Sequence, residues 1–305
     1  MRKRALITGS NGFVGSYLSR FLRSLDYEIW GIDIADKSRN DGIKYRKIDL
    51  SDYDISYRFI LESEPNEVYH LAAVANPRRA KEAPVSAYNV AMNSTLGVLN
   101  AVRDIEGCKV LLIGSSEEYR KKEGNEMVYC EEDPIENNTI YGSTKILSES
   151  IGRAYYKEYG VPVYFTRSFN HTGPEQSSEY VLSDFAMQVS RLRREPFATE
   201  IVTGNIDIDR DFLDVRDVVR AYYSILNEGR PGEIYNVCSH EPTNLRRCIE
   251  YLLEVSGNED VNIVVDRERV RLNEPRVIVG NNHKLQNHTT WVNEIPMTKT
   301  LLDMY

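Results

Sequence analysis

The chain has 305 residues, a formal net charge of −8 at pH 7 and a pI near 5.4. At roughly 150 residues per domain, this length predicts two domains or one large one. An acidic chain offers phosphate backbones no general attraction, and no apolar run approaches the roughly 20 residues that a membrane span needs. Composition therefore argues against nucleic-acid and membrane partners.

The amino-terminal segment and the cysteines bear on location. The start, MRKRALITGS, has only a brief apolar stretch, far short of the apolar core of a secretory signal. Four cysteines show no CxxC pairing, which fits a reducing compartment. We expect a cytoplasmic protein.

Short apolar runs alternate with longer amphipathic stretches in the first half of the chain, as in a parallel sheet covered by helices on both faces. The predicted strands are residues 4–8, 28–33, 67–71, 109–113 and 162–166. The predicted helices are residues 13–24, 53–63, 85–104 and 141–159. The fold class is therefore α/β, a Rossmann-type doubly wound parallel sheet.

The alternation becomes irregular after residue 169, with helices predicted at 182–194 and 214–227 and a strand at 233–237. This shift predicts a smaller C-terminal substrate domain. We assign residues 1–167 to a dinucleotide-binding domain, to which 209–237 return, and residues 168–208 and 238–305 to the substrate domain.

A glycine-rich segment, TGSNGFVG at residues 8–15, follows the first predicted strand and opens the first helix. Gly9 permits a tight turn, Gly12 lets backbone amides approach a pyrophosphate, and Gly15 allows close helix packing. The helix N-terminus adds partial positive charge. We expect the loop to bind a dinucleotide through Gly9, Asn11, Gly12, Phe13, Val14 and Gly15.

Asp33 ends the second predicted strand, 18 positions after Gly15. A carboxylate there can accept hydrogen bonds from the adenosine ribose hydroxyls and repel the 2′-phosphate of NADP, so NAD is favoured. Lys37 and Arg39 keep NADP possible, although both can be solvated loop charges. Asp49 and Leu50 are candidates for adenine contact, with a helix cap as the alternative for Asp49.

Tyr141 and Lys145 are four residues apart on a predicted helix, so their side chains share one face. A lysine ammonium near a phenol lowers the tyrosine pKa and favours proton exchange with a sugar hydroxyl or ketone. Ser115, at the end of the 109–113 strand, can hydrogen-bond the same oxygen. These three residues are the candidate catalytic group.

The ordered motifs resemble those of the extended short-chain dehydrogenase/reductases that act on nucleotide sugars. The likeness is strongest to GDP-4-keto-6-deoxy-D-mannose reductases and GDP-mannose 4,6-dehydratases. It is carried by TGSNGFVG, HLAA at 70–73, NVAMNSTLG at 89–97, IGSSEEY at 113–119, TRSFNHTGPEQ at 166–176, RDFLDVRDV at 210–218, EIYNVCS at 233–239 and RLNEP at 271–275.

The resemblance implies roles for further residues. Glu117 stands where the dehydratases keep the base that removes the sugar C5 proton, with a surface salt bridge as its alternative. Further expected cofactor contacts are Leu71, Ala72, Ala73 and Asn93. Expected nucleotide-sugar contacts are Ser116, Asn170, Arg210, Arg271 and Glu274, with a guanine pocket around residues 180–188. Guanidinium groups match phosphate oxygens bidentately, although an arginine can equally be a surface ion pair.

Two features depart from the pattern of the similar enzymes. Residues 74–80 (VANPRRA) replace a small, serine-containing segment that lines the sugar pocket in the similar enzymes. The sequence therefore leaves the identity of the hexose undetermined. The similar reductases also lack an acid at the position of Asp33, so the cofactor preference can differ.

The expected function is reduction of a GDP-4-keto-6-deoxy-hexose at C4 by an NAD(P)-dependent enzyme. The alternatives are a GDP-mannose 4,6-dehydratase or sugar epimerase that recycles bound NAD, and, more remotely, a non-catalytic NAD-binding protein. The five histidines show no ligand spacing, so no metal is expected. The resemblance also implies a homodimer through helices 85–104 and 141–159.

Overall fold

The computed structural model describes residues 2–122, 128–193, 200–258, 260–270 and 275–305. The described strands, in chain order, are β1 (Arg4–Thr8), β2 (Glu28–Asp33), β3 (Lys44–Lys47), β4 (Glu67–His70), β5 (Lys109–Ser115), β6 (Val128–Tyr129), β7 (Val163–Ser168), β8 (Asn170–Thr172), β9 (Glu200–Thr203), β10 (Asp209–Asp214), β11 (Ile234–Val237), β12 (Pro242–Asn244), β13 (Asn262–Val265) and β14 (Val277–Gly280).

The described helices are α1 (Phe13–Ser24), α2 (Tyr53–Ser63), α3 (Pro77–Glu82), α4 (Pro84–Asp104), α5 (Ile140–Tyr159), α6 (Val181–Leu192), α7 (Val215–Glu228), α8 (Leu245–Ser256), α9 (His283–His288) and α10 (Met297–Met304). Local chemistry fixes several ends. The Asp52 side chain caps α2 and Thr139 caps α5, while Gly160 ends α5 with a left-handed φ of 68°.

The main sheet has seven parallel strands in the order β11-β7-β5-β4-β1-β2-β3. The chain winds outward from β1 in both directions, so β1 and β4 flank the point at which the strand order reverses. Ligands of such sheets bind at the carboxyl ends of the strands beside this point. The glycine-rich segment lies there, directly after β1.

Both faces of this sheet are buried. On one face, α1 packs against β1 and α7 packs against β5 and β11, around fully buried side chains such as Leu18 and Tyr222. On the other, α2 and α4 pack around Phe59 and Val98. The predicted α/β Rossmann-type parallel sheet is confirmed. No helix among the described residues is long and apolar enough to cross a membrane.

The rest of the chain forms smaller sheets. In one, β12, β10, β14 and β6 are neighbours and β8 also pairs with β10; in another, β13 pairs with β9. A third cluster of buried apolar side chains joins α6 and α8 around Phe185 and Ile249.

Four predicted elements match the structure at both ends: β1, β2, α1 and α2. The predicted strand 109–113 continues to Ser115, and the strand 162–166 runs from Val163 to Ser168. The predicted domain division stays a prediction. Within the segment 209–237, β11 pairs with β7 in the main sheet, whereas β10 pairs with strands of the smaller sheet.

Candidate active site

The glycine loop leaves no space for side chains. Gly9 has a φ of 69°, and a Cβ on Gly15 would lie 2.2 Å from the Gly9 carbonyl oxygen. Gly12 precedes α1, whose first turn receives no hydrogen bond from a capping side chain. The amides of Phe13 and Val14 open this turn, as the sequence predicts. An N-terminus of this kind favours an anion such as a pyrophosphate.

Asp33 and Asn11 tie the next loop to the glycine loop. The Asp33 carboxylate accepts a 3.0 Å hydrogen bond from the Asn11 backbone N–H. The Asn11 side chain donates to the carbonyl of Lys37 and accepts from the N–H of Arg39. The side chains of Lys37 and Arg39 are exposed. Asp33 therefore lies beside the glycine loop, and its contact with a ribose stays a prediction.

The residues predicted near the adenine have different surroundings. The exposed Asp49 carboxylate accepts from the Ser51 N–H and does not cap α2, which Asp52 does. Leu50 is buried in the core. The Asn93 amide donates to the Ser51 carbonyl, so it links α4 to this turn. The alternative for Asp49, a helix cap, is therefore wrong: its carboxylate closes a turn ahead of the cap.

The three candidate catalytic residues come together at the carboxyl end of β5. Ser115 ends that strand, and its hydroxyl accepts a 3.2 Å hydrogen bond from the Glu117 N–H. Tyr141 and Lys145 lie in the first turns of α5, and the Lys145 Nζ is 5.8 Å from the centre of the Tyr141 ring. The Ser115 side chain is close enough to Tyr141 to lower the pKa of the phenol.

Burial outweighs the lowering effect on the Tyr141 pKa that the sequence predicts for Lys145. Burial raises the pKa of Tyr141 well above its ordinary value, the charges of Glu117 and Glu118 raise it further, and the Ser115 side chain lowers it. The Lys145 ammonium donates instead to the Ile113 carbonyl at 2.9 Å. In this arrangement Tyr141 keeps its proton at neutral pH and is suited to act as an acid.

Lys145 is almost fully buried, and burial lowers its pKa to about 8, opposed by the charge of Glu118. It lines a small cavity with Ile113, Ala72 and Ala73. Ala72 and Ala73 thus lie where the sequence places cofactor contacts, whereas Leu71 packs partly against the core. The cavity joins the catalytic group to the glycine loop through the Ala72 backbone, which a Cβ on Gly9 would meet at 3.1 Å.

A buried hydrogen-bonded chain behind this cavity was missed at the sequence level. The Thr8 hydroxyl lies 2.8 Å from His70 Nδ1, the Ser94 hydroxyl lies 3.2 Å from His70 Nε2, and the Ala72 N–H donates to Thr8. Burial lowers the pKa of His70 to about 3, so the imidazole stays neutral. The polar residues Thr8 and Ser94 at core-facing positions were the available signal.

The predicted nucleotide-sugar contacts are only partly described. Glu117 is exposed beside Ser115, and Ser116 is partly exposed in the same turn. Asn170 is exposed at the start of β8, which pairs with β10. Arg210 on β10 is buried, and its guanidinium donates to the Asp209 carbonyl at 2.7 Å. The remaining two, Arg271 and Glu274, lie outside the described residues.

Two unusual segments take defined positions. Residues of the VANPRRA segment form α3, capped by Asn76, and Arg79 pairs with Glu179 at 3.1 Å. In the expected guanine region, Gln188 is held by hydrogen bonds with the backbone of Val202. Within the described residues, no three His, Cys, Asp or Glu side chains are placed to share a metal ion.

The residues present fit a dinucleotide cofactor. Gly9, Gly12 and Gly15 form a cradle that a Cβ would fill, and the first turn of α1 has no side-chain cap. Asp33 stands beside the cradle at one end and the Lys145 cavity at the other. The cradle suits the pyrophosphate, and the Asp33 carboxylate suits the adenosine ribose. The cavity suits the second ribose and its nicotinamide ring.

Comparison with known proteins agrees with this geometry. A sequence profile of the family described as GDP-mannose 4,6 dehydratase matches residues 6–304. The chain is 30% identical to a GDP-6-deoxy-D-mannose reductase of Pseudomonas aeruginosa, over 99% of this chain and 95% of that protein. It is 24% identical to a GDP-mannose 4,6 dehydratase of Cricetulus griseus, over 99% of this chain and 90% of the other.

A solved structure shows that the similarity extends to the fold. The structure of RMD from Pseudomonas aeruginosa complexed with NADPH superposes with a TM-score of 0.86 at 28% identity, over 99% of this chain and 97% of that one. The sequence profile, the sequence relatives and this structure together cover nearly every residue. The chain therefore belongs to the GDP-mannose 4,6 dehydratase family, within the extended short-chain dehydrogenase/reductases.

Proposed function

We propose that this protein is an NAD(P)H-dependent reductase that converts the C4 ketone of a GDP-4-keto-6-deoxy-hexose to a hydroxyl. The observation that carries the proposal is the grouping of Ser115, Tyr141 and Lys145 beside the glycine cradle, in a chain similar over 99% of its length to a GDP-6-deoxy-D-mannose reductase. The family as a whole acts on nucleotide sugars, and the named relative supports the reductive direction.

The proposed chemistry assigns one task to each residue. A reduced nicotinamide, when bound, supplies hydride to the sugar C4. Tyr141 donates its proton to O4, and Ser115 hydrogen-bonds the same oxygen and stabilises the charge that develops there. The Lys145 ammonium, held on the Ile113 carbonyl, favours the phenolate that remains. Lys145 also contacts the nicotinamide ribose in this proposal.

The nucleotide diphosphate would lie against the smaller sheets. Arg210 on β10 supplies a buried guanidinium for phosphate oxygens, and Asn170 on the adjacent β8 supplies an amide. Ser116 directly follows Ser115, and the proposal assigns it a contact with the sugar. The proposal also gives phosphate binding to Arg271 and nucleoside ribose binding to Glu274.

A second candidate is a dehydratase or epimerase that returns the hydride to its substrate. It is favoured by Glu117, an exposed carboxylate whose charge acts on Tyr141, because a base beside the sugar C5 is what dehydration requires. A non-catalytic NAD-binding protein is the remaining alternative, and the intact group of Ser115, Tyr141 and Lys145 argues against it.

The distinguishing experiment is mass spectrometry and NMR of products. The purified protein is incubated with GDP-4-keto-6-deoxy-mannose plus NADH or NADPH, and separately with GDP-mannose and no reductant. We expect the keto sugar to gain two hydrogens in step with coenzyme oxidation. Loss of water from GDP-mannose without a reductant would instead establish a dehydratase with Glu117 as base. If neither sugar reacts, the α3 segment has changed the substrate.

Asp33 is expected to set the cofactor preference. Its carboxylate favours NAD over NADP, so Asp33→Ser should weaken NAD(H) binding by about tenfold, because it removes charged hydrogen bonds to the ribose. NADP(H) binding should be unchanged or tighter. Fluorescence titration with NADH and NADPH measures both affinities.

Asp36→Ser is the matched control for Asp33→Ser. Asp36 lies in the same loop but is exposed and pairs with Lys47 at 2.6 Å. Its substitution should leave both affinities within about twofold, the range typical of an exposed ion pair. Equal affinity losses for NADH and NADPH in Asp33→Ser would contradict the proposed ribose contact.

We also propose that the protein acts in the cytoplasm as a homodimer through α4 and α5. Exposed apolar side chains on these helices support this surface: Val85, Met92, Tyr156 and Tyr159. A partner helix pair would cover them. Light scattering should give twice the monomer mass, and Tyr159→Glu should lower it toward the monomer.

A further inference from the structure

Glu118 is a buried carboxyl directly beneath the catalytic group, with no role assigned so far. It follows Glu117 in the single turn 116–118 and is 0% exposed. Its side chain folds back so that Oε1 accepts the Ser115 N–H at 2.6 Å. Gly114 makes this possible, because a Cβ there would lie 2.4 Å from Oε1. The carboxyl therefore fixes the main chain that carries the Ser115 hydroxyl.

The second oxygen of Glu118 lies beside a cluster of charged side chains. Arg167 on β7 donates from Nε and Nη2 to Oε2 of Glu149 on α5, at 3.2 and 3.1 Å, and from Nη2 to Oε1 at 3.2 Å. Glu118 Oε2 is 3.8 Å from Arg167 Nε and has no hydrogen-bond partner among the described residues. Arg153 also donates to Glu149 Oε1 at 2.9 Å, so Glu149 accepts hydrogen bonds from both guanidiniums.

The consequence is a carboxyl that holds a proton at neutral pH. Burial raises the pKa of Glu118 to about 8, and the charge of Glu149 raises it too, against smaller lowering effects of the Ser115 N–H and of Arg167. The charge of Glu118 also acts on Lys145 and Tyr141, both on α5.

The pKa of Lys145 depends on the charge of the Glu118 carboxyl. Burial lowers the pKa of Lys145 to about 8, and Glu118 is the charge that opposes the fall. When Glu118 loses its proton, it becomes a negative neighbour in the pH range in which Lys145 would otherwise lose its own charge. The two groups therefore titrate as a linked pair.

We propose that Glu118 is a positioning residue of the active site, which anchors the Ser115 main chain and becomes a negative neighbour of Lys145 as the pH rises above neutral. Its effect on turnover rests on the proposed reductase function. Its effects on Ser115 and Lys145 do not, because the hydrogen bond to the Ser115 N–H and the charge effect on Lys145 both lie within the protein. A direct titration of Lys145 therefore tests the proposal without any substrate.

The substrate-free test follows lysine ε-carbon NMR signals in protein labelled with ¹³C-lysine. The Lys145 signal is assigned by its loss in Lys145→Met. In Glu118→Gln, which keeps an oxygen for the Ser115 N–H but removes the charge, the Lys145 midpoint should fall by about 0.5 pH unit or more. An unchanged midpoint would overturn the proposal.

Glu131→Gln is the matched control. Glu131 is another partly buried carboxyl with a raised pKa, and it accepts the Asn236 N–H at 2.8 Å. It is not among the charges that act on Lys145. The Lys145 midpoint should therefore stay in place in this variant. A shift equal to that of Glu118→Gln would mean a general effect of buried charge and would overturn the assignment.

The kinetic test uses the same variants. With Lys145 losing its charge at lower pH, the ratio of kcat/KM in Glu118→Gln to that in the wild type should fall about threefold or more between pH 7 and pH 9. Glu118→Leu loses the anchor for Ser115 as well and should have lower kcat at every pH. A constant ratio for Glu118→Gln would indicate a purely structural residue. Absence of any sugar reduction would instead count against the proposed function, with the NMR result standing.

Stability gives a third readout with a definite sign. A carboxyl whose folded pKa lies above its unfolded value stabilises the fold at low pH, and that contribution is lost as pH rises from the unfolded value toward about 8. Glu118→Gln cannot lose a proton. Its melting temperature relative to the wild type should therefore rise between pH 5 and pH 8.5, and a flat difference would contradict the raised pKa.

Discussion

Tyr141→Phe is expected to reduce kcat by about a thousandfold, within the 10²–10⁴-fold range for loss of a general acid. The variant removes only the hydroxyl, which burial keeps protonated at neutral pH and which the proposal makes the proton donor to O4. Dinucleotide affinity should stay within about threefold, because the ring remains. Steady-state kinetics and a coenzyme binding titration measure both quantities.

The control for this variant is Tyr57→Phe on α2. Its hydroxyl donates to Asp104 at 2.7 Å, far from the catalytic group, so its loss should leave kcat within about twofold. A Tyr141→Phe enzyme that retains more than a tenth of wild-type kcat would rule out proton donation by this residue. Complete loss of coenzyme binding would show that the Tyr141 hydroxyl serves binding rather than proton transfer.

Gly15→Ala should lower dinucleotide affinity by about 30-fold or more and the melting temperature by several degrees. The added Cβ would lie 2.2 Å from the Gly9 oxygen and 2.9 Å from the Ser10 Cα, which are backbone atoms with no room to move. The first turn of α1 must shift away from the loop, and overpacking of this kind costs roughly 1–3 kcal/mol. Isothermal titration with NADH and thermal unfolding report the two effects.

Gly12→Ala separates binding from folding. Its Cβ would meet one atom, the Gly9 oxygen, at 3.1 Å, and the backbone φ of −66° suits any residue. It should lower the melting temperature by less than Gly15→Ala does, while still weakening the approach of a pyrophosphate to the loop. Equal stability losses in the two variants would contradict the packing role assigned to Gly15.

The parts of this fold that the sequence predicts are those where local chemistry and tertiary structure agree. The strand β1, the glycine loop and α1 follow from an apolar run, obligatory glycines and an amphipathic stripe, and all three have the predicted bounds. Ser115 ends β5 and Tyr141 lies at the start of α5, which packs beside that strand. Both residues therefore lie at the carboxyl end of the parallel sheet, where ligands of such sheets bind.

The rest depends on contacts between distant segments. The effect of Lys145 on the pKa of Tyr141 depends on where the ammonium lies. The Ile113 carbonyl holds that ammonium, and the spacing of residues along α5 does not predict this contact. The opposite roles of Glu117 and Glu118, one exposed and one fully buried, depend on where Arg167 and Glu149 lie. Adjacent acids in a single turn look alike until the fold assigns each its surroundings.

The α3 segment illustrates the same point for specificity. Two arginines and a proline in residues 74–80 indicate an altered sugar pocket, yet the structure forms a short helix there and pairs Arg79 with Glu179, ahead of α6. The charge that the sequence offers to a substrate is thus partly used between two protein segments. The hexose follows from shape and contacts that motifs do not encode.

The most direct test of the reductase proposal is transfer of deuterium from reduced coenzyme labelled at nicotinamide carbon 4 to GDP-4-keto-6-deoxy-mannose, read by NMR and mass spectrometry of the product. A net reductase places one deuterium on sugar C4 for each coenzyme oxidised, and Tyr141→Phe should slow this incorporation about a thousandfold. Conversion of a GDP-sugar with no deuterium at C4 and no coenzyme consumed would contradict the proposal, because it would mean that the hydride is taken from the substrate and returned to it.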